Sequence, residues 1–475
     1  MKTSVTIATI LTLIIQLLLL TQATGPTIES YEHLTYAEHI QETGLPLLQD
    51  EKTWNQATYD YPPLYHYLIA FLALFMNTIT AAFIITTLAT ASIPYLTYKL
   101  TEHVSTHQQA PSITALASSF SPLLYQQTTL QTTPYTLAIP LILLTLHAYI
   151  STTRSPKHQT LLLISTTALA LTTPLSILVA IGLLLAVTLT KIQQKEVPKK
   201  TVEATLLVTF VSIWAALITY NNTIRDHGIQ TFWNHSNQLA DITTIVAGIG
   251  ILTVLAGSYA AYTYIQDKTT TKAYPILGVI LAIILAMSTN VINNNQAILL
   301  LSLLLLPLTA KTINLYTQEK HKARIPQSYN ALAAIIIILF LTAHALPAIT
   351  NAPETLTQTL TPQQQELLTT LPPSEHTHHW NEELGFALHY HGHKTLLTSN
   401  QYANKHSQET KETINQLPTA TLTQQVHILN DLGVQRIITT TPSKYTLPCY
   451  TRVHTTNYYE VNQLQCVVQS QQLSY

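Results

Sequence analysis

Charged residues are scarce in this chain of 475 residues, since Asp, Glu, Lys and Arg together make up only 9% of it. A soluble globular domain carries about 25%. Hydrophobic residues make up 47%, so the composition excludes water as the main solvent of the fold. The net charge is -1 and there is no long basic run. A nucleic-acid partner needs a concentrated cationic surface, and we therefore predict no nucleic acid among the partners.

Cysteine is also nearly absent, with only Cys449 and Cys466 near the C-terminal end. Two cysteines allow one disulfide at most, so cross-links do not define the fold. Both lie in a segment rich in Thr and Tyr that is typical of β-structure. A disulfide across a hairpin and two unpaired thiols remain open alternatives, because sequence spacing does not establish the Cα separation that a disulfide needs.

Long apolar segments dominate the rest of the chain. A spanning helix needs roughly 20 mostly apolar residues, because its backbone has to satisfy its own hydrogen bonds in lipid. A cleaved signal peptide is the alternative for the first segment. The shorter segments are completed by flanking Thr, Ser and Tyr. We predict about eleven spans, at residues 5–20, 79–98, 113–125, 136–150, 160–172, 175–190, 202–220, 242–264, 274–289, 297–308 and 331–346.

Lysine and arginine fall in alternate loops, which are the cytoplasmic ones. The intervening loops, including 25–61 and 220–241, are almost free of cations and are predicted to lie outside. We therefore predict a multi-pass protein of the plasma membrane with a cytoplasmic N-terminus and an extracytoplasmic C-terminal domain. The cytoplasmic cations are Lys2, Lys99, Arg154, Lys157, Lys191, Lys195, Lys199, Lys200, Lys268, Lys272, Lys311, Lys320, Lys322 and Arg324.

Two domains are predicted: a mainly α-helical transmembrane bundle over residues 1–349, with its first outer loop at 25–61, and a small extracytoplasmic mixed α/β domain over 350–475. Residues 62–75 are apolar but too short to span, so we predict a juxtamembrane helix there. In the C-terminal domain, 360–371 and 422–432 have helical character, while 386–397 alternates like a strand and 436–440 is strand-like.

Histidines cluster in this C-terminal domain. On a strand, alternate residues share one face, so those of the run at 389–393 could converge on a zinc ion. A polar, solvated strand is the alternative, and no Cys or nearby carboxylate completes a recognisable set of ligands. The metal therefore stays unassigned. The clustered residues are His376, His378, His379, His389, His391 and His393.

The first outer loop carries an unusual concentration of acids. Glu29, Glu32, Glu38 and Glu42 directly follow the first predicted span. Carboxylates beside a low-dielectric rim are costly unless a ligand, a metal or a hydrogen-bond donor answers them. The sequence therefore places the candidate site in this loop.

The loop resembles that of the GT-C superfamily of membrane glycosyltransferases, which includes oligosaccharyltransferase catalytic subunits and protein O-mannosyltransferases, and its archaeal members in particular. Their first outer loop opens with an acidic run, continues to a glycine-proline turn and closes with Tyr-Pro-Pro-Leu before a helix. Here the matching text is ESYEHLTYAE at 29–38, GLP at 44–46 and YPPLYH at 61–66. Weaker similarity covers 121–122, 133–138 and 429–438.

This resemblance implies a GT-C-like helix bundle and a lipid partner. Such enzymes transfer a sugar from a polyprenyl-phosphate or pyrophosphate carrier to an acceptor at the outer face, usually with inversion. Two departures stand out. The second loop has QQTTLQ at 126–131 and no acid, which leaves a divalent metal cofactor unassigned. The Trp-Trp-Asp motif is absent, which argues against transfer of a whole glycan to Asn.

By position in the resemblance, Glu29 is the expected base, with Glu32 and His33 supporting it or contacting sugar hydroxyls. The alternative for Glu29 is a helix cap or a solvated acid. The alternative for Glu32 and His33 is a place on the solvated face of the helix. Cations are expected near the departing phosphate, and the alternative for Arg225 is a local ion pair with Asp226. Aromatic and polar groups are expected to line the cavity, and the alternative for them is anchoring at the membrane interface. The substrate-binding candidates are Lys52, Tyr59, Tyr61, His66, Arg225 and His227, with Asn293, Asn294 and Asn295 beside them.

A catalytically silent membrane scaffold that presents its outer domain, or a transporter, is the competing class. A transporter should show ionisable groups within its spans and broken helices in repeated halves. The predicted spans here are almost free of acids and bases. A silent relative would share the loop pattern and the missing second acid.

Overall fold

The computed structural model describes residues 2–23, 25–48, 61–121, 123–152, 155–221, 224–225, 241–267, 271–322, 359–371, 378–380, 384–391, 424, 434–440, 450–455 and 459–464. The chain divides into two compact units. The helical unit comprises Met1–Ala23, Tyr61–Asn221 and Phe232–Leu356, and the mixed unit comprises Thr24–Asp60, Asn222–Thr231 and Thr357–Tyr475. The domain boundary expected at 349/350 stays a prediction.

Helices make up nearly all of the helical unit that the structure describes. They form because the sequence offers long apolar runs whose backbone groups bond within each segment. In chain order, counting those of both units, the helices are α1 (Lys2–Gln22), α2 (Ser30–Thr43), α3 (Leu64–Ala73), α4 (Thr78–Val104), α5 (Ala110–Ser118), α6 (Leu124–Thr128), α7 (Pro134–Ser151), α8 (Pro156–Ala170), α9 (Leu175–Ile192), α10 (Lys199–Thr219), α11 (Ile242–Ile249), α12 (Ile251–Gln266), α13 (Tyr274–Ser288), α14 (Asn294–Lys322), α15 (Pro362–Thr370) and α16 (Gly385–Tyr390).

Six of the described helices are long and apolar enough to cross a membrane, namely α1, α4, α7, α9, α10 and α14. The pair α11 and α12 would make a seventh, but it is bent by 89°. Helices α3 and α13 are apolar and shorter. The count of about eleven spans stays a prediction, and its last segment, 331–346, lies outside the described residues. The segment expected at 113–125 is not one continuous helix, because α5 ends at Ser118 and α6 begins at Leu124.

The tightest packing in the helical unit joins α9 and α13, and glycine makes it possible. A Cβ added to Gly182 would lie 2.5 Å from the Cα of Val279, and one added to Gly278 would lie 2.8 Å from the backbone nitrogen of Ala186 and closer still to the carbonyl oxygen of Gly182. The two backbones therefore touch directly, as small residues allow in membrane helices.

Hydroxyl groups inside the unit bond mostly to the backbone of their own helix. Thr12 donates to the carbonyl of Ala8 at 3.0 Å, and Thr90 donates to that of Thr86 at 2.8 Å. This pairing explains how a chain rich in Thr stays compatible with an apolar interior. Gln16 is an exception, since its side chain is fully buried and neither amide atom finds a hydrogen-bond partner in the part of the chain that the structure describes.

The mixed unit contains a four-stranded sheet in the order β1-β2-β4-β3. Its strands are β1 (His378–Trp380), β2 (Val434–Thr440), β3 (Tyr450–Thr455) and β4 (Tyr459–Leu464). β1 pairs parallel with β2, and the other two pairs are antiparallel. Helix α15 begins with a capping box between Thr361 and Gln364. The helix expected at 360–371 and the strand expected at 436–440 are present as α15 and β2. Of the helix expected at 422–432, only Gln424, which is helical, is described.

The strand expected over 386–397 is wrong where it can be compared, because Gly385–Tyr390 forms helix α16. Six residues are too few for apolar spacing to separate a helix from a strand, and Ala and Leu favour the helix. His389 therefore lies on a helix and His391 caps it, so the shared strand face on which the zinc idea rested does not exist there. His376, His393, Cys449 and Cys466 lie outside the described residues.

The backbone contact between α9 and α13 makes Gly278→Ala destabilising. The added methyl group meets main-chain atoms that cannot rotate away, and overpacking of this kind costs about 1–3 kcal/mol. Gly25→Ala is the matched control, because its methyl group would meet only ordinary contacts of 3.5 and 3.7 Å. We expect a lower thermal unfolding midpoint in detergent for the first variant only. Equal midpoints would contradict the close approach.

The buried amide of Gln16 makes Gln16→Leu stabilising. An unpaired polar group in an apolar interior costs about 1–3 kcal/mol, and leucine of similar size removes that cost. Gln22→Leu on the same helix is the control, because Gln22 is exposed. We expect a raised unfolding midpoint for Gln16→Leu and little change for the control. A lowered midpoint for Gln16→Leu would show that the amide has a partner.

Candidate active site

Helix α2 carries the acids of the first outer loop, and local chemistry fixes both of its ends. Before it, the backbone nitrogen of Ser30 donates to the carbonyl of Thr27 at 2.9 Å, and the two hydroxyls lie 2.7 Å apart. After it, Gly44 adopts a left-handed conformation with φ of 75° and donates to the carbonyl of Ile40 at 2.8 Å. A glycine tolerates this conformation at a helix end without strain. The glycine of the GLP turn therefore ends the helix.

One face of α2 carries the catalytic candidates together with Tyr36. Glu29, Glu32, His33 and Tyr36 follow one another at spacings of three, four and seven residues, which brings them to the same side of the helix. Glu29 occupies the N-cap position and is exposed, and it makes no side-chain capping bond. Glu32 and His33 are half-buried. The structure thus brings together the three catalytic candidates that the sequence indicated.

A hydrogen bond joins two residues of this face. The hydroxyl of Tyr36 donates to Oε1 of Glu32 at 2.6 Å, and the ring of Tyr36 lies edge-on to that of His33 with centroids 6.1 Å apart. The sequence analysis did not single out Tyr36. Its position four residues after Glu32 on a helix was the available signal.

Burial sets the charge states on this face. It raises the pKa of Glu32 from 4.5 to about 7, although the hydrogen bond from Tyr36 lowers it, and the negative charge of Glu29 raises it further. Burial also lowers the pKa of His33 from 6.5 to about 4. Near pH 7 the imidazole is therefore neutral, while the Glu32 carboxyl exists in both protonation states. A carboxyl poised in this way is typical of catalytic sites.

The opposite face of α2 is anchored to α16. Tyr31 is buried, and its ring centroid lies 5.2 Å from that of Tyr390 and 6.2 Å from that of His391. Tyr31 and Leu34 point away from Glu29 by the helical spacing, so this aromatic contact fixes the rotation of α2 about its axis. Burial lowers the pKa of His391 and raises that of Tyr31 to about 12.

A second group of candidates lies in the helical unit, at the start of α3. The rings of Tyr61 and His66 are 4.7 Å apart, and Tyr65 and His66 are fully buried. The backbone nitrogen of Leu64 donates to the carbonyl of Leu171 at 2.9 Å, which ties the first turn of α3 to the end of α8. Two of the predicted substrate-binding residues, Tyr61 and His66, are thus in contact.

The remaining candidates lie elsewhere in the chain. Arg225 is exposed in the mixed unit. Asn293 and Asn295 are exposed before and within the first turn of α14. Within the described ranges, no group of three or more His, Cys, Asp or Glu side chains is arranged to hold a metal ion. Lys52, Tyr59 and His227 lie outside the described residues.

The chain matches solved structures although its sequence matches no protein-family model and no curated protein. The crystal structure of the Archaeoglobus fulgidus oligosaccharyltransferase in complex with Zn and sulfate matches with a TM-score of 0.62 at 11% identity, over 92% of this chain and 68% of that one. The crystal structure of ArnT from Cupriavidus metallidurans bound to undecaprenyl phosphate matches with a TM-score of 0.61 at 12% identity, over 96% of this chain and 97% of that one. The crystal structure of the same protein in the apo state matches with a TM-score of 0.59 at 12% identity, over 92% of this chain and 93% of that one.

These neighbours are GT-C glycosyltransferases, so the chain has the GT-C fold, and the resemblance drawn from the first outer loop is confirmed at that level. The apolar helices and the neighbours together make it a multi-pass membrane protein. Identities of 11–12% carry the fold alone.

Glu32 and His33 give opposite pH dependences of stability. Glu32 holds its proton more tightly in the folded state, so its contribution is full below about pH 4.5 and is lost as the pH rises through about 7. His33 holds its proton less tightly, so its contribution is full above about pH 6.5 and is lost as the pH falls through about 4.

Substitution separates the two. Relative to wild type, we expect Glu32→Gln to gain stability as the pH rises from 4.5 to 7, and His33→Gln to gain it as the pH falls from 6.5 to 4. Thermal midpoints of the detergent-solubilised proteins at each pH measure both effects. Curves that stay parallel to wild type would contradict the burial of these groups.

Proposed function

We propose that this chain is a membrane glycosyltransferase that moves a sugar from a polyprenyl-phosphate-linked donor to an acceptor at the outer membrane face. The observation that carries the proposal is the acidic face of α2, the first helix after α1, in a chain with the GT-C fold. One structural neighbour, ArnT, is bound to undecaprenyl phosphate, which belongs to the lipid class that the proposal requires.

The reaction needs a base near the acceptor and compensation for the leaving phosphate. Glu29 takes the proton from the acceptor hydroxyl, whose oxygen forms a bond to the anomeric carbon of the donor sugar. The bond from that carbon to the phosphate oxygen breaks, and its electron pair leaves with the lipid phosphate. The exposure of Glu29 at the start of α2 suits a group that has to reach an incoming hydroxyl.

The other candidates take supporting roles in this proposal. Glu32 and His33 contact substrate hydroxyls beside Glu29. Arg225 donates two bonds at once to the departing phosphate, since its planar fork suits that group, with Lys52 and His227 adding positive charge. Tyr59, Tyr61 and His66 take the role of substrate-binding groups, and the contact between Tyr61 and His66 supports their acting together.

The proposal includes an orientation and a division of the chain. The N-terminus lies in the cytoplasm, because the Lys-rich loops alternate with loops that are poor in cations. About eleven spans over 1–349 then place residues 350–475 on the extracytoplasmic side of the plasma membrane, as a mixed α/β domain.

A silent scaffold is the second candidate. It is favoured by the second loop, where QQTTLQ at 126–131 offers no acid. Such a protein would keep the GT-C fold and present its outer domain to a partner. A transporter receives less support, since the predicted spans are almost free of ionisable groups.

Replacing the proposed base tests the enzyme directly. Glu29→Gln keeps the shape of the side chain and removes its basicity, so we expect sugar transfer from a labelled polyprenyl-phosphate donor to fall by about 10²–10⁴-fold in membranes at normal expression. Glu42→Gln is the control, because Glu42 is an exposed acid at the far end of the same helix. We expect it to retain activity.

Two outcomes would contradict the proposal at different points. Unchanged sugar transfer by Glu29→Gln would show that Glu29 is not the base, while the chain would still be a glycosyltransferase. Wild-type membranes that transfer no sugar from any polyprenyl-phosphate donor, with the protein present and folded, favour the scaffold.

A further inference from the structure

Tyr36 is the one member of the active face of α2 to which neither the sequence nor the comparisons give a role. Its side chain is 5% exposed, so most of the ring is withdrawn from water. Its hydroxyl donates to Oε1 of Glu32 at 2.6 Å across one turn of the helix. A bond of this length is in the range of a hydroxyl donating to an ionised carboxylate, which is stronger than a neutral hydrogen bond.

The bond has a geometric consequence for Glu32. A carboxylate on a flexible side chain samples several rotamers, and a donor on a buried ring confines it to one. Oε1 is occupied by Tyr36, while no donor from the described residues is assigned to Oε2. Oε2 is therefore the oxygen that remains available to a ligand.

We propose that Tyr36 is a positioning residue that holds Oε1 of Glu32 and so presents Oε2 as the acceptor for a hydroxyl group of the sugar substrate. The inference rests on the proposed function, and it assigns Glu32 to substrate binding next to the base rather than to proton abstraction. The ligand class is a polyhydroxylated ring, because a fixed carboxylate oxygen beside a second carboxylate selects hydrogen-bond donors.

Among the residues that the structure describes, the titratable groups considered around Glu32 are those of its own helix and of α16, a helix packed against α2. On α2, the Glu29 carboxylate raises the pKa of Glu32 and the Tyr36 hydroxyl lowers it, while burial leaves His33 neutral near pH 7. On α16 the groups are His389, Tyr390 and His391, and the last two pack against Tyr31 on the opposite face.

Removing the hydroxyl of Tyr36 should therefore destabilise the ionised form of Glu32 relative to the protonated form. We expect Tyr36→Phe to raise the pH at which the Glu32 carboxyl ionises. The infrared carboxyl band that is present in wild type and missing in Glu32→Gln reports this step in the full-length protein in lipid nanodiscs. Tyr31→Phe is the matched control, because it removes a buried tyrosine hydroxyl from the same helix and leaves the bond to Glu32 intact.

Enzyme kinetics test the substrate part. In a pH profile of transfer from the polyprenyl-phosphate donor, we expect Tyr36→Phe to raise KM roughly tenfold near pH 7 with a smaller effect on kcat. The acid limb of the profile should move to higher pH by the same amount as the infrared titration. A residue that only supported the fold would lower activity evenly at every pH.

The possible outcomes separate the two proposals. An unchanged infrared titration in Tyr36→Phe, or an equal shift in Tyr31→Phe, overturns the positioning role whatever the enzyme does. A shifted titration with an unmoved KM profile overturns the role of Oε2 in binding. Absence of transfer by the wild type overturns the proposed function and the substrate contact with it, while the infrared result still decides whether Tyr36 holds Glu32.

Discussion

A polar group that leaves water loses its hydrogen bonds unless the protein supplies a partner, and this constraint shapes both units of the chain. In the helical unit the answer is local, since hydroxyls such as that of Thr12 turn back to their own helix. In the mixed unit the half-buried Glu32 carboxyl is answered by Tyr36 one turn away. The two solutions differ in what they leave over. The first consumes the polar group, whereas the second leaves one carboxylate oxygen available.

The fold could be predicted from the sequence wherever a single long apolar run specified one helix. The runs at 79–98 and 175–190 became α4 and α9, extended by a few residues. Prediction failed where a run was interrupted or short. The segment at 113–125 is interrupted where α5 ends at Ser118, before α6 begins at Leu124, and six residues at 385–390 were too few to distinguish helix from strand. The bend at Gly250 was hidden inside a continuous apolar run.

The arrangement of the candidate site was predictable to the extent that it depends on spacing along one helix. Glu29, Glu32 and His33 could be chosen from the loop motif, and the helix brings them to one face. Tyr36 could not be chosen in the same way, because its importance lies in where its hydroxyl points, and sequence spacing does not give a rotamer. The pKa of Glu32 was equally hidden, since it depends on how much protein surrounds the carboxyl.

The direct backbone contact between Gly182 and Gly278 has a consequence for movement. Helices separated by a layer of side chains can slide past each other by repacking that layer, which is how shear motions arise. At the crossing of α9 and α13, Gly182 and Gly278 place backbone against backbone without an intervening side chain. Sliding of α9 along α13 would drive main-chain atoms into one another at this crossing, so we expect the two helices to move together in any rearrangement of the bundle.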